Sequence, residues 1–164
     1  DMSRGLGDVY KRQVFPGSTI AITHRDPVSV IQSAATMLAY GQRLNREKVE
    51  LAGLIEYWSD RVVRLLVACV RDRDLLSAEQ SIDVLFHEFM ADDMAMVERI
   101  YARAGLALTD TARAELEQFI ASHPRGKHGQ VVYDLRGDFG VEPDALRRRF
   151  DFYFDRFPVQ VEVR

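Results

Sequence analysis

Ser18-Thr-Ile-Ala-Ile-Thr-His-Arg-Asp-Pro-Val-Ser-Val-Ile-Gln-Ser-Ala34 decides the fold of this chain of 164 residues. A β-branched run, Thr19 to His24, ends in Arg25 and turns through Asp26-Pro27. It then enters an apolar helical stretch carrying Ser29 and Ser33. The Thr and Ile content suits a buried parallel strand, Asp26 can cap a helix, and Pro27 fits its first position. A guanidinium, a helix N-terminus and hydroxyls therefore surround one small volume. Each favours an anion, and together they favour a phosphate. On spacing alone a second reading stays open, in which Arg25 pairs with a carboxylate and Asp26 is a plain cap. Ligands of open α/β sheets sit beyond the carboxyl ends of the strands, which is where Arg25 falls.

Outward from this motif, the first helix is predicted to run to about Leu44 and a long amphipathic helix to span about 46–71. Val49, Leu51, Ile55, Trp58, Val62, Leu65 and Leu66 recur near a 3.6-residue period along it. Ser-Ile-Asp-Val-Leu-Phe-His-Glu-Phe, residues 81–89, alternates and reads as a second strand. A helix opens at Asp92-Asp93 and is closed by Gly105, another begins at Thr109-Asp110, and a Gly-punctuated loop covers 125–140. Glu142-Pro143 starts a last helix to about Phe157, and the tail 159–163 suits a short edge strand. Strands separated by long helices indicate an α/β fold with a parallel sheet.

Composition narrows the function classes. Apolar residues make up 47% of the chain and charged residues 29%, which are globular values and imply a real core. A net charge of −3 argues against a general nucleic-acid binder, so any anion site is a local cluster. The single Cys69, in an apolar helical run, forms no disulfide framework and fits a core position in a reducing, cytoplasmic compartment. No membrane span and no metal-ligand spacing of His or Cys is evident. Residues 1–13 lack apolar periodicity, and 3–13 read like an in-frame sequencing-adapter scar. The natural sequence is then expected to begin near Val14, cut at its N-terminus.

A second basic cluster, His123-Pro-Arg-Gly-Lys-His-Gly129, places Arg125 and Lys127 between glycines. Gly126 and Gly129 let the backbone approach a ligand closely, and the flanking amides can form an anion-binding nest. The alternative is a solvated basic turn after a helix. Phe15-Pro16, Thr23-His-Arg-Asp-Pro27 with Ser33, and Arg125-Gly-Lys-His-Gly129 leading through Tyr133 to Asp138-Phe139-Gly140 together resemble the C-terminal part of a sulfotransferase. The likeness is to the bacterial branch of enzymes that use 3′-phosphoadenylyl sulfate (PAPS), and it covers residues 14–164.

The resemblance implies a P-loop-NTPase-like, three-layer α/β fold, helix-rich and incomplete at its N-terminus. It implies that Arg25 and Ser33 bind the 3′-phosphate of PAPS or of its product adenosine 3′,5′-bisphosphate (PAP). It further implies that Arg125, Gly126 and Lys127 close over the same phosphate, and that no metal is needed. The family's phosphosulfate-binding loop and general-base histidine have no counterpart in this sequence, so no catalytic residue is assigned. The acceptor would be a small molecule, glycan or lipid bearing a hydroxyl or amine. Two rivals remain: a kinase-like P-loop phosphotransferase, and a non-catalytic helical interaction module. Of the remaining side chains, His24 is expected to be structural, its ring turned away from the arginine's side. His87, Phe86 and Phe89 are expected as core or acceptor-pocket wall, His123 as solvated and Trp58 as core. Arg147 to Arg149 are expected as a solvated face.

Overall fold

Ile20–His24 forms β1 and runs parallel to β2, Ser81–Leu85, with Ile20 opposite Ser81 and His24 opposite Leu85. The computed structural model describes residues 15–124, 126, 129 and 131–163. The adapter-like residues 1–13, together with Arg125, Lys127 and His128, lie outside the described residues. Parallel strands require a long crossover, and two helices supply it. These are α1, Pro27–Arg43, and α2, Leu51–Asp72, followed by a 3-10 turn, Arg73–Leu75. After β2 come α3, Phe86–Ala91, α4, Asp93–Ala104, and α5, Asp110–Ser122. The chain continues through α6, Leu135–Phe139, α7, Pro143–Arg147, a 3-10 turn, Arg148–Phe150, and α8, Asp151–Arg156.

Cross-strand partners share a face, so Ile22, His24, Asp83 and Leu85 point one way and Thr23, Ile82 and Val84 the other. Ile82 and Val84 pack with Met96 of α4, flanked by Phe89 and Ile100. On the opposite side His24 meets the aromatic rings of Tyr153 and Phe157. Helices therefore cover both faces of the parallel pair, as the α/β reading anticipated. The larger core joins α1 to the later helices: Val28, Ile31 and Ala35 pack with Ile55, Leu135, Leu146 and Phe150. Apolar residues three and four apart put this stripe of α1 on one side.

Several boundaries differ from the sequence reading. β2 ends at Leu85, and Phe86 to Phe89 are helical. The alternation there is ambiguous, because Phe86 and Phe89 also satisfy a spacing of three. The long helix starts at Leu51 rather than 46, with no side-chain cap at Glu50. Leu65 on it is exposed and Trp58 only half-buried. The loop after α5 contains α6, capped by Asp134, whose carboxylate accepts from the Gly137 N–H at 2.8 Å. A Cβ at Gly137 would press on that carboxylate, so a larger residue there would have to move the capping side chain. The last helix is broken by the 3-10 turn at 148–150.

Two local endings follow the expected chemistry. Gly105 closes α4 in the left-handed region at φ 66°, and Thr109 caps α5 through a bond from the Ala112 N–H. β1 departs from expectation: Ala21 and Thr23 are exposed, since among the described residues the strand has a neighbour on one side only.

Cys69 is half-buried on α2. Burial first, and then the nearby Asp83 carboxylate, push its thiol above the ordinary value. A raised thiol pKa lowers the thiolate fraction at every pH, and the thiolate is the reactive form. Iodoacetamide should therefore label Cys69 more slowly than free cysteine at neutral pH, with the rate still climbing where that of free cysteine has levelled off. Labelling as fast as the free amino acid would contradict this burial.

Candidate functional site

Three side chains of the opening motif meet where β1 gives way to α1. The Arg25 guanidinium grips the Glu162 carboxylate with two nitrogens: Nε at 2.9 and 3.0 Å from its two oxygens, and Nη2 at 2.7 Å. Its flat face lies over the Phe86 ring, 4.0 Å from the centroid. Ser29 donates to the same carboxylate at 3.3 Å. The bond from Glu162 raises the Arg25 pKa above its ordinary value, partly opposed by desolvation. Arg25 is thus a permanently charged fork already closed on an anion.

Asp26 does more than cap. Its buried carboxylate accepts from the Val28 N–H at 2.9 Å, and its second oxygen takes the N–H groups of Glu162 and Val163 at 2.8 and 3.3 Å. The tail 159–163 is therefore not an edge strand; its amides bond to this side chain rather than to a neighbouring strand. At the amide end of α1 the Asp26 side chain takes the Val28 N–H, and Pro27 has no N–H to offer.

Ser33 lies one turn beyond Ser29 on the same side of α1 and shares a hydrogen bond of 3.1 Å with the Tyr133 hydroxyl. Tyr133 also contributes to the electrostatic environment of Arg25. The loop after α5 thus reaches back to α1 through Tyr133. Gly126 and Gly129 on that loop adopt φ of 79° and 90°, and the Gly129 N–H donates to the Gly126 carbonyl at 2.9 Å. Positive φ here is the reason for glycine at both places. The structure gives Gly126 its conformation; Arg125 and Lys127 lie outside the described residues.

Beside Arg25 opens a cleft of about 210 Å³, walled by His24, Phe86, His87, Met90 and the 159–162 segment. His87 and Phe86 are half-buried along it, and Phe89 turns to the core under Met96.

Behind the cleft, His24 is 1% exposed and does not face the arginine's ligand. Its Nε2 lies 2.8 Å from Asp83 Oδ1 and its Nδ1 2.8 Å from the Tyr153 hydroxyl. Arg73 binds both oxygens of Asp83, at 2.8 and 2.9 Å. Partial burial pushes the Asp83 carboxyl up, but the bonds from Arg73 and His24 outweigh it and hold the pKa below its ordinary value. An ionised Asp83 only accepts, so His24 Nε2 donates to it. In the neutral ring Nδ1 then accepts the Tyr153 proton. Burial raises the Tyr153 pKa well above its ordinary value, which keeps that proton in place. This chain of bonds fixes the end of β1, and with it the position from which Arg25 projects.

The sequence reading named Arg25, Ser29 and Ser33 but missed Glu162 and Tyr133 as their partners. Glu162 carries no local signal, and Tyr133 only its place downstream of the basic loop. His123 sits at the surface against Phe119, with ring centroids 4.2 Å apart. Arg147 is bound to Asp144 and to the Val163 carbonyl and Arg149 to Glu56 and Asp60, while Arg148 between them is exposed, as expected of a solvated face. Among the described residues no cluster of His, Cys, Asp and Glu could hold a metal ion. No helix among them is long and apolar enough to cross a membrane.

A family model described as "Sulfotransferase family" matches residues 6–110. Among solved structures, the chain is similar to sulfotransferase STF9 from Mycobacterium avium. The identity is 26%, over 99% of this chain and 42% of that one, with a TM-score of 0.81. It is also similar in fold to sulfotransferase STF1 from Mycobacterium tuberculosis H37Rv. There the identity is 23%, over 85% of this chain and 34% of that one, with a TM-score of 0.62. The chain therefore spans less than half the length of either. No curated protein sequence matches it.

Proposed function

This chain belongs to the sulfotransferase family, and on that premise we propose that it anchors the 3′-phosphate of PAPS, with Arg25 and Ser33 as ligands. One observation carries the reading: at the carboxyl end of β1, Arg25 already holds an oxyanion in two-nitrogen geometry. A phosphate presents the same pair of oxygens with more charge. Ser33 lies one turn beyond Ser29 on α1, with its partner Tyr133 reaching it from the loop after α5, where a phosphate oxygen or the ribose would follow. Arg125, Gly126 and Lys127 would close over the phosphate from the loop that Tyr133 ties to α1. The left-handed backbone at Gly126 suits such an approach.

The activity of the whole enzyme would be sulfuryl transfer. An acceptor hydroxyl or amine attacks sulfur, the bond between sulfur and the bridging phosphate oxygen breaks, and PAP leaves. The acceptor's proton passes to a base that none of these residues supplies. As in phosphoryl transfer, positioning and charge stabilisation carry most of the catalysis. This segment contributes the positioning. A cytoplasmic setting fits a single free cysteine.

The experiment is calorimetric titration with PAP and with AMP, which differ only at the 3′ position. Without the 3′-phosphate, Arg25 keeps its internal partner and gains nothing. PAP is expected to bind at least about tenfold more tightly than AMP. Equal affinities would overturn the assignment.

A further inference from the structure

The Glu162 carboxylate occupies the place that a nucleotide phosphate would need. It takes the Nε–Nη2 edge of Arg25 and the Ser29 hydroxyl, which is the donor set a phosphate would use. We propose that the tail 159–163 is a built-in competitor: Glu162 plugs an anion subsite formed by Arg25 and Ser29, and the incoming phosphate displaces it. This rests on the reading of Arg25 as a phosphate anchor, and it adds Ser29 as a ligand and Glu162 as a gate.

The geometry separates the plug from its mount. The backbone N–H groups of Glu162 and Val163 are held by the buried Asp26 carboxylate, independently of the Glu162 side chain. The side chain can therefore swing off Arg25 while the tail stays docked. The pair is also only partly shielded, with Arg25 41% and Glu162 27% exposed. Ion pairs this open are weak enough for a ligand to break. A phosphate and a carboxylate cannot share the guanidinium comfortably, since two anions at such a distance repel. The neighbouring cleft, lined by Val159 to Glu162, gives the released carboxylate a way towards solvent.

A site that is internally occupied binds with an apparent affinity reduced by the fraction of molecules whose plug is out. Removing the charge at Glu162 should therefore tighten binding, the opposite of what removing a ligand does. Titration of E162Q with PAP is expected to show about fivefold higher affinity than the unaltered chain. S29A should lose about fivefold, because the phosphate inherits the Ser29 hydroxyl from the carboxylate. AMP should bind E162Q and the unaltered chain alike.

Unchanged or weaker PAP binding by E162Q overturns the plug, because Glu162 would then orient Arg25 rather than compete for it. Unchanged binding by S29A removes that hydroxyl from the subsite. R25A separates the two levels. If it leaves PAP affinity intact, the phosphate-anchor reading itself fails. If it abolishes binding while E162Q has no effect, only the plug fails. Amide hydrogen exchange gives a second readout: residues 162 and 163 should stay protected when PAP binds, since Asp26 keeps them. Loss of that protection would show the whole tail leaving and overturn the swing of one side chain.

Discussion

Arg25→Ala is expected to weaken PAP binding about a hundredfold, since two charge-assisted hydrogen bonds contribute roughly 3 kcal/mol. Truncation has a second consequence. Glu162 loses its partner and leaves an uncompensated carboxylate at the subsite, which repels the phosphate further. Arg25→Lys should recover only part of the loss, because an ammonium keeps the charge but not the planar fork. Lysine also forfeits much of the flat contact with Phe86, over which the guanidinium now sits. AMP should bind all three forms with similar affinity. Calorimetry on the three, with thermal melts to show that each is folded, decides the matter. An R25A chain that keeps PAP affinity within about twofold would remove this arginine from the site.

His24→Ala is expected to be the most damaging substitution for stability in the α1 corner, at about 3 kcal/mol or more. The imidazole is buried and lies tilted against the Phe157 ring, with ring centroids 4.1 Å apart, so its loss leaves a hole beside an aromatic ring. It also strands the Tyr153 hydroxyl, a buried donor whose proton no other side chain among the described residues takes. Tyr153→Phe keeps the aromatic packing and leaves only the His24 Nδ1 without its donor, and should cost about 1 to 2 kcal/mol. Urea denaturation of the two variants tests the difference. Equal destabilisation would mean that the hydroxyl, not the ring, carries the corner.

The same network sets an acid limit with a definite sign. The folded pKa of Asp83 is lowered, so its contribution is complete above the ordinary aspartate value of about 4 and fades as pH falls through the folded value. D83N should flatten that acid limb while losing stability at neutral pH.

How much of this was legible in the sequence depends on distance along the chain. β1, the Asp26 cap and the start of α1 were readable because their causes lie within a few residues: β-branching, a capping carboxylate, a proline at the first helical position. Gly105 was readable for the same reason. The stretch from Phe86 to Phe89 was not, because spacing of two and spacing of three coincide over four residues and packing decides between them. Phe86 goes under Arg25 and Phe89 to the core beside Met96.

The site divides in the same way. Arg25, Ser29 and Ser33 announce themselves by type and spacing on one strand–helix unit. Their partners Glu162 and Tyr133 lie 137 and 100 residues away. Nothing local marks a glutamate in Val-Gln-Val-Glu-Val as the occupant of an arginine fork. Both initial readings of Arg25, phosphate ligand and carboxylate partner, describe the same donor set.

Asp26 joins residues 136 and 137 positions apart. During synthesis the carboxylate that starts α1 waits, half-satisfied, until residues 162 and 163 have been made. Contacts this remote in sequence form late, because the loop between them must close first. The corner is therefore among the last parts of the chain to mature. A nascent chain halted before residue 162 would carry β1, α1 and Arg25 with its fork open.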